Sequence, residues 1–158
     1  MNPRWLDEHE QRAWRGFVRM RNEVFGHLAR QLSRNSGISE SDFEVLVVVS
    51  ESPGRRMRAR DLGRELGWER SRLSHQVARM ERRGTVRRIT CESDARGFDV
   101  VLTPAGLEAI TAAAPMHVND VRGVFADVLT RDELAALAAI SEKVAVHIRD
   151  NHPGPCAG

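Results

Sequence analysis

Two amphipathic segments, one holding Asp61, Leu62 and Leu66 and ending at Gly67, the other running from about Glu69 to Arg83, follow each other closely, and the second is closed by Gly84. Such spacing leaves no room for a loop, so the two segments read as consecutive helices turning tightly on each other, a helix-turn-helix. Gly63 is a small residue where the helices would cross closely, and Gly67 serves the turn. Leu73, Val77 and Met80 then face back to the core. Directly after Gly84, the run Thr85-Val86-Arg87-Arg88-Ile89-Thr90 is rich in β-branched residues, and a second apolar run, Phe98 to Leu102, follows a charged turn at Asp94-Ala95-Arg96-Gly97. This pattern predicts a two-stranded hairpin. A helix-turn-helix followed by a hairpin is a winged helix.

The flanks are helical. From Trp5 to about Arg34, apolar residues recur at Trp14, Phe17, Val18, Phe25, Leu28 and Leu32 with the spacing of a long amphipathic helix, which Asn35-Ser36-Gly37 stops. A second helix starts near Ser39, with Asp42 completing a weak capping box, and carries Phe43, Leu46 and Val49 before Ser52-Pro53-Gly54 ends it. Thr103-Pro104 is an N-cap followed by proline at the first helical position. The apolar phase from Leu107 to Val128 continues across Pro115, which predicts one kinked helix or two nearly collinear pieces. Thr130 and Glu133 form a capping box that opens a last helix carrying Leu134, Leu137, Ile140, Val144 and Ile148.

The expected fold is mainly α with a small β-hairpin wing. Residues 39–103 form the winged helix-turn-helix lobe, 1–38 and 104–150 a helical dimerisation region, and 151–158 a disordered tail. The outer apolar stripes are too extensive for one small chain to bury, so an intertwined homodimer is expected. Packing of the last stripe within one chain is the alternative.

The formal charge of +2 hides a division: residues 55–96 hold 13 basic against 6 acidic side chains, a net +7, and the rest of the chain carries −5. A basic centre between acidic flanks points to a polyanion. The longest apolar run, Val45 to Val49, is far too short to span a membrane, and the charged N-terminus is no secretory signal. Two cysteines, Cys91 and Cys156, make no disulfide framework, so a cytoplasmic location is expected.

In order along the chain, Asp61-Leu62-Gly63-Arg64-Glu65-Leu66-Gly67, Arg70-Ser71-Arg72-Leu73-Ser74, Arg79-Met80-Glu81-Arg82-Arg83-Gly84, Asp94-Ala95-Arg96 and Leu102-Thr103-Pro104-Ala105-Gly106 resemble the MarR (multiple antibiotic resistance regulator) family of transcription factors. The resemblance covers roughly residues 40 to 110. It implies a homodimer held by the terminal helices, with recognition helices in successive major grooves and wings in adjacent minor grooves. Glu69, where a serine or threonine often begins the recognition helix, Trp68 at a usually aliphatic turn position, and Ala95 at a wing position often held by arginine all depart from the family pattern.

With Leu73, Val77 and Met80 inside, the opposite face of the second helix offers Arg70, Ser71, Arg72, Ser74, His75 and Arg79 to DNA. Arg72, Ser74 and His75 are expected nearest the bases, and Arg70 and Arg79 on phosphates. Arg96 on the wing suits a narrow A·T-rich minor groove, with Asp94 orienting Arg82, Arg83 or Arg88. The resemblance also implies a cleft for a small effector between the dimer helices and the DNA-binding lobe. Trp14, Arg21, Phe25 and His117 are its candidate lining, an amphipathic set suited to aromatic or phenolic acids.

The reading is therefore a double-stranded-DNA-binding regulator, with repression of a palindromic operator as the default. Two alternatives stand beside it. Cys91, near Arg87 and Arg88, could act as a redox switch, and a winged helix can serve protein interaction alone. No nucleophile elbow, phosphate loop or hydrolase motif suggests an enzyme, and the six histidines show no metal-ligand cluster, so neither cofactor nor metal is expected.

Overall fold

A computed structural model describes residues 3–91 and 94–151; the side chains of residues 91 and 94–96 are outside the described set. Helix α1 (Glu8–Ser36) begins with a full capping box between Asp7 and Glu10 and ends at Gly37. Helix α2 (Glu40–Glu51) is capped by the Ser39 hydroxyl, which accepts from the Asp42 amide at 3.1 Å. A short 3₁₀ turn (Pro53–Arg55) leads into strand β1 (Arg56–Arg58), which sequence reading did not anticipate. Helices α3 (Ala59–Leu66) and α4 (Arg70–Arg82) follow, joined through Gly67 at φ 65°, a left-handed conformation that glycine adopts without Cβ strain.

Strands β2 (Val86–Cys91) and β3 (Asp94–Leu102) form the wing. The sheet has three antiparallel strands, not two, in the order β1-β3-β2. Strand β1 is too short to show alternation; it exists through its pairing with β3, where Arg58 lies opposite Asp99 and Arg56 opposite Val101. The tip also differs from the expected turn at 94–97. Thr90 pairs with Phe98 but Cys91 with Asp94, so Ala95, Arg96 and Gly97 form an irregularity within β3.

Helix α5 (Pro104–Val121) starts as expected, with Thr103 as its cap and Pro104 in its first turn, and runs through Pro115 into a π-helical turn at Arg122–Ala126. Helix α6 (Arg131–Asn151) opens on the Thr130–Glu133 capping box. Asn151, read as tail, is its last residue. Residues 152–158, which include Cys156, lie outside the described residues, as do the side chains of Cys91, Asp94 and Arg96.

One core runs through the centre. Val45, Leu46 and Val49 of α2 meet Leu62 of α3, Leu73, Val77 and Met80 of α4, and Val86 and Val100 of the wing. Leu32 of α1 and Ile110 and Ala113 of α5 enter the same cluster, so the flanking helices are anchored to the lobe. The join between wing and α5 is tight at Gly106, where a Cβ would stand 2.0 Å from the Thr85 carbonyl oxygen. Helix α6, by contrast, buries none of its residues, and Ile140, Val144 and Ile148 lie exposed along it. The packing of its stripe within one chain is therefore not what the structure shows.

Candidate nucleic-acid interface

The periodicity of α4 places its side chains as expected. Leu73, Val77 and Met80 are buried, while Arg70, Ser71, Arg72, His75 and Arg79 are exposed and Ser74 half-buried. Arginines on such a face can grip guanine edges or phosphates, and the short serine lets the helix approach closely. Glu69 occupies the N-cap position but makes no side-chain cap bond, consistent with its departure from the usual serine or threonine.

Trp68 has a structural role in this arrangement. It is only 7% exposed, and its amide donates to the Gly63 carbonyl at 2.8 Å, closing the turn between α3 and α4. Arg72 lies over its ring, the guanidinium carbon 4.1 Å from the centroid. The stacking restricts the long side chain to one direction at the surface, so the arginine expected nearest the bases is preorganised on an aromatic plate.

A buried polar network holds the other half of α4. Asp42 of α2, read from the sequence as a capping-box residue, uses its amide for the cap but sends its carboxylate elsewhere. Asp42 is 6% exposed, and its carboxylate accepts from the Gln76 amide and the Arg83 guanidinium. Gln76, 2% exposed, in turn accepts from Arg79. Sequence reading missed both Asp42 and Gln76 here. One signal was available: Gln76 falls between Leu73 and Met80 on the helix's inner arc, where a polar residue needs a partner.

Other carboxylates position the wing. Glu81 accepts from the Arg88 backbone amide at 2.9 Å and from its guanidinium at 2.8 Å, tying α4 to β2. These bonds, the backbone one first, hold the Glu81 pKa below the ordinary glutamate value despite some desolvation. Arg88 also reaches over Phe98, 5.6 Å from the ring centroid. Buried Asp99 draws in Arg56 and Arg58 from β1. Of the three arginines considered as partners for Asp94, Arg83 is thus engaged by Asp42 and Arg88 by Glu81.

A cleft of about 240 Å³ opens between α1, α2 and α5, lined among others by Phe25, Phe43, Glu40, Glu44 and His117. The His117 ring packs on Phe43 at 4.4 Å between centroids, and its buried Nδ1 has no hydrogen-bond partner. Of the four residues expected here, Phe25 and His117 line the cleft. Trp14 does not. It is 58% exposed in a surface groove farther along α1, stacked beside Phe17 at 6.0 Å, and Arg21 is bonded to Asn22. Among the described residues, no three His, Cys, Asp or Glu side chains gather as a metal site, and no helix is long and apolar enough to cross a membrane.

Comparison with known proteins agrees with this geometry. A sequence profile of the MarR family matches residues 36–97. Sco3205 of Streptomyces coelicolor, a MarR family transcriptional regulator whose crystal structure is a complex with DNA, is 40% identical over 96% of both chains, with a TM-score of 0.90. AbsC, another MarR family regulator of Streptomyces coelicolor, is 41% identical over 94% of this chain and 100% of its own, with a TM-score of 0.87. PcaV of the same organism, solved with its natural ligand, shares the fold at 23% identity, covering 92% of this chain and 97% of its own at a TM-score of 0.69. No curated protein matches the chain in sequence. With a winged helix-turn-helix presenting a basic recognition helix, and with relatives of this closeness along almost its whole length, the chain belongs to the MarR family of DNA-binding transcriptional regulators and is not an enzyme.

Proposed function

We propose that the protein is a homodimeric repressor of a palindromic operator, released from DNA by a small aromatic molecule in the cleft between α1, α2 and α5. The observation that carries the reading is the pairing of two surfaces on one chain: the exposed Arg70, Ser71, Arg72, His75 and Arg79 face of α4, and the uncovered apolar side chains of α1 and α6. Trp14, Phe17, Ile140 and Val144 are all more than half exposed. A second copy covers such surfaces and, by its twofold symmetry, sets two recognition helices facing one side of the duplex.

Arg72, Ser74 and His75 read base edges, Arg70 and Arg79 hold phosphates, and Arg96 of the wing enters the minor groove, with Asp94 turned back to orient a neighbouring arginine among Arg82, Arg83 and Arg88. Repression follows because a dimer on a promoter blocks polymerase without further parts. The test is selection of bound sequences from a random duplex pool, with sedimentation of the free protein. The expected result is an inverted repeat with half-sites about one helical turn apart, and a dimer mass at micromolar concentration. An unrelated or absent motif, or a monomer, refutes it.

A further inference from the structure

The cleft has a charge. Two of its lining side chains, Glu40 and Glu44, are carboxylates four residues apart on α2, and therefore project from one face of that helix. None of its described lining residues is a lysine or arginine. The remainder is mostly apolar: Phe25, Leu28 and Leu32 from α1, and Phe43 and Val47 from α2. His117 completes it from α5, with a buried Nδ1 that makes no bond in the protein and can accept one from a donor in the cleft. Burial, and then repulsion from Glu40, raise the Glu44 pKa, while Arg72 of the recognition helix opposes the shift.

We propose that this cleft takes an aromatic ammonium, a small ring system bearing a protonated amine, its ring against Phe25 and Phe43 and its charge between Glu40 and Glu44. The assignment rests on the effector reading above and departs from the aromatic or phenolic acids expected from the candidate lining. A carboxylate in the same place meets two like charges with no cation lining the site to offset them. An ammonium satisfies both glutamates, donates to His117 and lies over aromatic faces.

The site is also suited to signalling. Helix α2 lines the cleft with Glu40, Phe43 and Glu44, and holds the recognition helix through the Asp42–Gln76 and Asp42–Arg83 bonds. A ligand drawn against Glu44 acts on the helix that positions α4, and it neutralises a charge that Arg72 feels.

The test uses three probes with one ring system, 2-naphthylmethylamine, 2-naphthylmethanol and 2-naphthoate, titrated calorimetrically into the full-length protein and then into its complex with a selected duplex. The amine should bind at least about tenfold more tightly than the naphthoate, and Glu44→Gln should remove most of that preference while leaving the affinity for the alcohol within about threefold. The amine should also weaken duplex binding.

If the naphthoate or the alcohol binds as tightly as the amine, the charge assignment is overturned, and its effect on duplex binding judges the effector reading separately. Preferential amine binding with unchanged duplex affinity upholds the ligand class and overturns the effector role. If none binds at millimolar concentration, both fall.

Discussion

Gly106 is the position where one methyl group should do the most damage. It lies in the first turn of α5, buried against the base of the wing, and an added Cβ would sit 2.0 Å from the Thr85 carbonyl oxygen and 2.8 Å from Leu102 Cδ1. Real Cβ contacts essentially never fall below 3.0 Å, so the backbones must separate by about 1 Å. Neither side yields easily. The Thr85 carbonyl accepts from the Thr103 amide at 3.2 Å, the Thr103 hydroxyl donates to the Gly84 carbonyl at 2.6 Å, and the same hydroxyl caps the Gly106 amide at 3.0 Å. Overpacking costs about 1–3 kcal/mol, and strain on the Thr103 cap adds up to about 1 kcal/mol. The gain in helix propensity returns at most about 1 kcal/mol.

Gly106→Ala should therefore destabilise by about 2–3 kcal/mol, lowering Tm by roughly 4–12 °C for a chain of this size. Gly63→Ala is the comparison. Its Cβ would meet the Trp68 carbonyl oxygen at 3.3 Å and Leu73 Cδ2 at 3.5 Å, contacts that a few tenths of an ångström relieve, so its net effect should stay within about 1 kcal/mol. Urea unfolding of both variants at one protomer concentration measures the difference. Equal losses, or a Gly106→Ala protein as stable as the parent, would refute the reasoning from backbone contact.

Three further outcomes are expected. Arg72→Ala should weaken binding to the selected duplex by about 1–3 kcal/mol and relax preference at one position of each half-site, read by competition between duplex variants. Asp42→Ala strips buried Gln76 of its acceptor and should cost about 1–3 kcal/mol in urea unfolding, whereas Asp42→Asn, which keeps an oxygen in place, should cost less. Glu81 has a folded-state pKa below its unfolded value, so its contribution is present above the unfolded pKa and lost as the pH falls through the folded one. Glu81→Gln should accordingly lower stability at neutral pH by no more than about 1 kcal/mol, and the difference from the parent should vanish in acid.

What the sequence made legible was mostly local. Ser39, Thr103 and Thr130 cap helices because each bonds an amide three residues on, a relation visible in a short window. The inward arc of α4 followed from the period of 3.6 residues. Strand β1 was missed because three residues, Arg-Met-Arg, carry no pattern of their own; they become a strand through register with the distant β3, where Met57 lies opposite Val100. Asp42 was misassigned for the same reason, since its partners Gln76 and Arg83 lie 34 and 41 residues along the chain. Trp14 and Arg21 share a helix face with Phe25, but a rise of about 1.5 Å per residue sets Trp14 roughly 16 Å from Phe25, too far for one small cleft. Facing is a matter of angle around the helix; reach is a matter of length along its axis.

The carboxylates that order the basic lobe also change what its charge can do in solution. Asp42 engages Arg83, Glu81 engages Arg88, and Asp99 engages Arg56 and Arg58. Each guanidinium held in this way has a fixed internal counter-charge, so docking beside a phosphate frees less of the condensed ion atmosphere than a solvated arginine would. The logarithm of affinity falls with the logarithm of salt by about 0.9 for each phosphate neutralised. The measured slope should therefore be shallower than a count of the 13 basic residues between 55 and 96 suggests, and the difference is a direct gauge of how much positive charge the fold reserves for its own shape.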